Sequence, residues 1–250
     1  MTLEDAVAEG RRLVGSAGDR EVAMRLLGGV AVAVACQGRV ACDELARTYH
    51  DIDLAIPRRH SARAVRVLVS EGYRADERFN AQHGDARLLF IDPIRERQVD
   101  IFVSEFQMCH RLDLEPGLAA PGFTLPVSDL LLLKLQIVEL NRKDVLDSLT
   151  LLLHFEMGGA DTPLTLNATR IASLCASDWG WHTTVTDNLV QVEKLAPEIL
   201  SNPHDVRTVH QRLSLLGSKI QDTRKSLGWR IRNRIGRRLQ WYDLPDEAAT

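Results

Sequence analysis

Cysteine is scarce and scattered. Cys36, Cys42, Cys109 and Cys175 form no C-x-x-C pair, which excludes a zinc knuckle and a dithiol redox pair and suits reduced thiols in a cytoplasm. Aromatic residues make up only 5% of the chain. No apolar run approaches the roughly 20 residues that a membrane-spanning helix needs, so no transmembrane helix is expected. The opening MTLEDAVAEGRRLV is acidic early and lacks an apolar core segment, so no signal peptide is expected either. There is no internal repeat and no low-complexity segment. What remains is an ordinary soluble globular composition, 45% apolar and 26% charged over 250 residues. That length holds one large domain or two modest ones.

Charge is unevenly spread. Of 31 basic and 34 acidic residues, eight basic and one acidic lie between Gly217 and Tyr242. The remaining 23 and 33 leave a body of net charge −10 carrying a basic C-terminal segment.

Along the chain, residues 3–15 have the spacing of a short helix. EVAMRLLGGVAVAVAC reads as a strand, a glycine turn at Gly28-Gly29 and a short buried helix. A strand over 51–56 stops at Pro57, and SARAVRVLVSEG is helical with a glycine stop. Short strands are expected near 73–79, 86–91 and 98–103, the last two separated by a turn at Asp92-Pro93. Ser128 is the expected N-cap of DLLLLKLQIVEL, and a second helix runs from Val145 to Phe155. From about Asn167 onward only helix and loop are expected. The fold class is therefore α/β of the α+β kind: a mixed sheet with helices over 1–125, then a helical region over 126–250, with a soft boundary at 115–130.

HDIDLAI, residues 50–56, sets two aspartates into an apolar run. Ile52, Leu54 and Ile56 bury one face of a strand, so Asp51 and Asp53 project together from the other, about 5–7 Å apart. A third carboxylate, Asp100, sits in QVDIFV opposite the apolar face made by Val99, Ile101 and Val103. If the two strands pair, three carboxylates converge, and they stay ionised together only beside a hard divalent cation. Oxygen-only ligation with open positions suits Mg²⁺ bound with substrate phosphates. Glycines at a strand-to-helix turn, as Gly28 and Gly29 would be, let a phosphate approach backbone N–H groups.

In that order, LLGG (26–29), HDIDLAI and QVDIFV (98–103) resemble the signature of the DNA polymerase β-like nucleotidyltransferase superfamily. The longer pattern resembles the bacterial branch containing abortive-infection-type toxin nucleotidyltransferases, through Arg47-Thr48 before D-x-D, Lys134, and the run Lys143-Asp144-Val145-Leu146-Asp147. The resemblance covers roughly residues 20–155. It implies a nucleotidyltransferase-like fold and an enzyme that moves a nucleoside monophosphate from an NTP, ATP foremost, to an acceptor hydroxyl on RNA, protein or a small molecule, releasing pyrophosphate. It implies Mg²⁺ or Mn²⁺ on Asp51, Asp53 and Asp100, the last also a base, and nucleotide contacts from Gly28, Gly29 and Lys134. It suggests tRNA as an acceptor and an antitoxin protein as a partner, and no membrane partner. One departure stands out: many members have Gly-Ser where this chain has Gly-Gly followed by Val30, so no serine hydroxyl meets the phosphate. The competing reading is a nucleotide- or partner-binding protein that keeps the fold without turnover.

Blander readings exist for each motif. Asp51 and Asp53 could be solvated residues of an edge strand, or a haloacid-dehalogenase-like D-x-D, which RTYH before them disfavours. Lys134 could snorkel from LLLLKLQIV, and Lys143, Asp144 and Asp147 could be ordinary helix pairs. Cys109-His110 has no further ligand at metal spacing, and Trp179 and Trp181 read as core. In the basic tail, Leu227, Ile231, Ile235 and Leu239 recur every four residues with arginines filling the remainder. Docking on the acidic body is favoured there, then nucleic-acid binding, with a membrane surface last.

Overall fold

The computed structural model describes residues 2–36 and 42–243. They fall into two compact units, one of residues 2–36, 47–106 and 112–126, the other of residues 42–46, 107–111 and 127–243.

The first unit runs α1 (Ala6–Gly18), β1 (Arg25–Leu27), α2 (Gly28–Ala35), β2 (Ile52–Ile56), α3 (Ser61–Ser70), β3 (Arg74–Ala75), α4 (Glu77–His83), β4 (Arg87–Ile91) and β5 (Gln98–Val103). The short strands β6 (Glu105–Gln107) and β7 (Arg111–Asp113) and the single turn α5 (Glu115–Leu118) follow. A five-stranded sheet has the order β1-β2-β5-β4-β3. It is mixed, because β2 and β5 run parallel while the other pairs are antiparallel. Strand β2 lies in its interior, and Ile52, Leu54, Ala55 and Ile56 are wholly buried. A residue buried on both faces of a sheet has to be apolar, so the one polar residue of β2, Asp53, needs a reason to be there.

Two sequence expectations change in form here. The strand expected over 73–79 is two residues long, because the Asp76 carboxylate accepts from Phe79 N at 2.9 Å and starts α4 instead. Asp51 lies just outside β2 and is exposed.

The second unit contains α6 (Val127–Leu135), α7 (Arg142–His154), β8 (Glu156–Gly158), β9 (Thr165–Asn167), α8 (Ala168–Ser177), α9 (Trp179–Ile199), α10 (Pro203–Asp222) and α11 (Leu227–Ile235). The fold is thus α+β, a mixed sheet with helices followed by a helical half. Ser128 does not cap α6. It lies inside the helix and is buried, with its N–H (2.8 Å) and hydroxyl (2.6 Å) both donated to Asp161. The helix also ends earlier than the apolar pattern suggests, at Leu135, where Asn188 Nδ2 donates to the carbonyls of Leu135 and Ile137 at 2.9 and 2.7 Å. Trp179 and Trp181 are buried in α9, as expected of core residues.

Lys134 does not snorkel. Its ammonium is held 2.8 Å from Asp147 Oδ2 and 3.2 Å from Asp144 Oδ1, so α6 is tied to α7 by a buried ion triad. Burial pushes the lysine pKa down, Asp147 and Asp144 push it up more strongly, and the net shift is upward. Removing one member of such a cluster strands the others. Lys134→Met should therefore cost about 3–5 kcal/mol in denaturant unfolding. The combined Lys134→Met, Asp144→Asn, Asp147→Asn chain should recover most of that loss, because no lone buried charge remains.

Candidate active site

Register brings two of the expected carboxylates side by side. Asp53 of β2 pairs with Asp100 of β5 across a parallel ladder, so both side chains emerge on the same side of the sheet. On the other flank of β2, Leu27 pairs with Asp53, which puts the next residue, Gly28, beside the Asp53 carboxylate. Gly28 has φ +68°, and a methyl group there would overlap Asp53 Oδ2 and lie 3.0 Å from its Cγ. Only glycine satisfies both the left-handed backbone and the close approach. At Gly29, a Cβ would stand 3.0 Å from the Tyr49 ring and 3.6 Å from Arg47 Nη1, and Arg47 itself stacks over Tyr49 at 5.3 Å. The glycine pair therefore opens α2 with its backbone pressed against Asp53 on one side and the Arg47–Tyr49 stack on the other. The first N–H groups of a helix have no intrahelical acceptor, so this is a place where an anion can be received.

Asp100 is 3% exposed and already has cationic and amide company. Its Oδ1 accepts from Arg87 Nε at 2.8 Å and its Oδ2 from Gln98 Nε2 at 2.7 Å. Gln98 lies two residues earlier on the same strand and so on the same face. Arg87 comes from β4, opposite Phe102 in the ladder, and its guanidinium sits between two rings, 5.3 Å from Phe102 and 5.7 Å from Phe79. The rings fix the guanidinium, and the guanidinium fixes the carboxylate. Neither Arg87 nor Gln98 was singled out from sequence. The glutamine was readable from its i−2 spacing, whereas Arg87 needed the β4–β5 register.

Among the described residues, no three His, Cys, Asp or Glu side chains stand grouped as a metal site. The donor chemistry nevertheless fits a hard divalent cation: Asp51, Asp53 and Asp100 offer oxygen only, and Asp53 and Asp100 share a register level. Arg87 and Gln98 each take one acceptor site of Asp100, which leaves a lone pair on each oxygen for a cation. The remaining expected contact, Lys134, belongs to the helical unit, where Asp144 and Asp147 bracket its charge. Nothing supports a metal at Cys109-His110: His110 Nε2 lies 2.8 Å from Thr184 Oγ1, and burial holds its pKa below the usual value.

No family model and no curated protein matches the chain. Solved structures similar to it are nucleotidyltransferases. The antibiotic-resistance factor ANT(2'')-Ia in solution shares 16% identity at a TM-score of 0.40, over 58% of this chain and 81% of that one. A crystal structure of ANT(2'')-Ia with adenylyl-2''-tobramycin shares 15% at 0.36, over 86% and 96%. The STING-associated CdnE c-di-GMP synthase of Capnocytophaga granulosa shares 13% at 0.29, over 85% and 79%. Likeness at this level fixes no shared reaction, which has to come from the residues themselves.

The Gly28 contact is testable with an internal control. Gly28→Ala should lower stability by about 1–2 kcal/mol for the left-handed backbone and also displace Asp53, so that Mn²⁺ binding measured by calorimetry is lost. Gly72 has φ +95°, and a methyl group added there would meet nothing within 4 Å. Gly72→Ala should cost a similar amount of stability and leave Mn²⁺ binding intact.

Proposed function

We propose that the α+β unit is a nucleotidyltransferase centre, transferring a nucleoside monophosphate from an NTP, ATP foremost, to an acceptor hydroxyl. The observation that carries this reading is the Asp53 carboxylate lying against Gly28 at the start of α2 with Asp100 in register beside it. That arrangement joins a helix N-terminus able to receive phosphate to a carboxylate pair able to hold its counter-cation. In the reaction the acceptor oxygen bonds to the α-phosphorus, the bond from that phosphorus to the β-phosphate oxygen breaks, pyrophosphate leaves, and the hydroxyl proton is released.

Mg²⁺ or Mn²⁺, held by Asp51, Asp53 and Asp100, would supply charge neutralisation at the phosphates and a more acidic acceptor hydroxyl. The chain's own part is positioning. Gly28 and Gly29 present backbone donors to the phosphates in place of the missing serine hydroxyl. Arg87 and Gln98 hold the Asp100 carboxyl group oriented, so it is in place before substrate arrives. Asp100 accepts the hydroxyl proton on a lone pair that Arg87 and Gln98 leave open. Lys134, bracketed by Asp144 and Asp147, would bring its remaining N–H donor to the triphosphate.

A second reading has its own observation. The engagement of both Asp100 oxygens suits a nucleotide- or partner-binding protein that holds the fold without turnover. One experiment separates the two: incubation with each labelled NTP and Mg²⁺ against pools of tRNA, protein and metabolites, tRNA being the first acceptor to try, with pyrophosphate measured. Release of pyrophosphate and label on one pool supports the enzyme. Metal and nucleotide binding without release supports the binding protein. In the enzyme, Asp53→Ala should abolish transfer with the fold intact, and Asp100→Asn should lower turnover by orders of magnitude. Near-normal turnover in Asp100→Asn would remove Asp100 from the centre.

A further inference from the structure

Helix α11 docks the wrong way round for an amphipathic helix. Its inward face is Trp229, Arg232 and Asn233. Trp229 meets His182 edge-on at 5.1 Å, Arg232 stacks over Trp179 at 4.6 Å, and Asn233 Oδ1 accepts from Trp179 Nε1 at 2.8 Å. Just beyond the helix, Arg237 pairs with Asp187 at 2.7 Å and stacks on Trp241 at 5.1 Å. The aliphatic stripe faces outward instead, with Leu227 73%, Ile231 55%, Ile235 39% and Leu239 59% exposed. Arg230 and Arg234 share that outward side of the helix, and Arg238, beyond the left-handed Gly236 that ends it, is exposed as well; the three follow the repeat [Leu/Ile]-x-x-Arg over 227–238. Among the described residues, those three arginines and Arg224 enter no ion pair.

From this we infer that the 224–239 segment is a peripheral docking surface for an anionic lipid bilayer. Apolar side chains at four-residue spacing would enter the interface while the arginines meet lipid phosphates, a pairing in which neither the apolar nor the basic contribution suffices alone. Charge decides the occupant. A second copy of the chain would set arginine row against arginine row. A nucleic-acid backbone would satisfy the arginines but leave the aliphatic row in water. A partner helix ordinarily needs a groove, and this face is the ridge of one helix. The inference is independent of the proposed chemistry.

The test is co-sedimentation of the full chain with phosphatidylcholine vesicles, with and without phosphatidylglycerol. Binding is expected only with phosphatidylglycerol, and it should fall as salt rises. Arg230→Gln, Arg234→Gln, Arg238→Gln together should weaken partition by roughly two orders of magnitude, the contribution expected of three arginines at an anionic surface. Leu227→Gln with Ile231→Gln should weaken it by at least about tenfold while leaving the melting temperature unchanged, since both side chains are exposed. Three results would overturn the inference: no partition on anionic vesicles, partition indifferent to the aliphatic substitutions, or tRNA binding through the arginines with no vesicle binding.

Discussion

The α+β unit depends on the contact between Gly28 and Asp53. A carboxylate in the interior of a sheet is costly unless something accommodates it, and here the glycine that opens α2 leaves it room. The contact couples three separate demands. Strand β1 must end at Leu27 so that the next residue meets β2, that residue must adopt a left-handed conformation, and it must have no side chain. Change any one and the carboxylate, the helix start or the strand pairing has to move. At Gly72 the left-handed backbone alone demands glycine, since a methyl group there would meet nothing within 4 Å, whereas at Gly28 the close approach of Asp53 demands it as well.

Buried charge is treated alike in the two units. Asp100 has an arginine held between two aromatic rings, and Lys134 has two carboxylates from the next helix. In each case the partner is itself immobilised, so the ion pair loses little side-chain entropy on forming. The difference lies in what is left over. The lysine cluster is closed within α6 and α7. The sheet site sets Asp53 and Asp100 in register beside the start of α2, with exposed Asp51 adjacent. Carboxylate oxygens grouped beside a helix N-terminus are a serviceable way to attract a cation that brings phosphate with it.

How much of this was legible in the sequence depended on the range of the interaction. The β2 strand and the glycine turn were readable because alternation and punctuation are local, whereas the pairing of Asp53 with Asp100 was only a condition in the sequence and is set by the β2–β5 register. The start of α6 was misread because Ser128 looks like a cap, yet its hydroxyl is bound by Asp161, far along the chain. Residues 73–79 looked like strand until Asp76 claimed Phe79 N for a helix. Lys134 could not be settled from LLLLKLQIV, since a snorkelling lysine and a buried ion triad have the same local pattern. Arg87 was invisible for the same reason: its role exists only in the register between β4 and β5.

The basic tail shows where periodicity alone misleads most. A stripe of Leu227, Ile231, Ile235 and Leu239 says that one face of a helix is apolar, but not what that face meets. The opposite face holds fewer aliphatic groups and more specific ones: an indole edge on His182, a guanidinium flat on Trp179, and an amide accepting from the same indole. Stacked cations and aromatic pairs contribute about 0.5–2 kcal/mol each when partly desolvated, enough together to rival burial of two or three aliphatic side chains at about 1.5–3 kcal/mol apiece. Once the aromatic face wins the docking contest, the aliphatic side chains and the neighbouring arginines are left exposed. Among the described residues, the acidic body then neutralises only Arg237 of the arginines in that neighbourhood. The segment is anchored to the protein by its rings and left chemically unsatisfied on the side where an anionic, partly apolar surface would complete it.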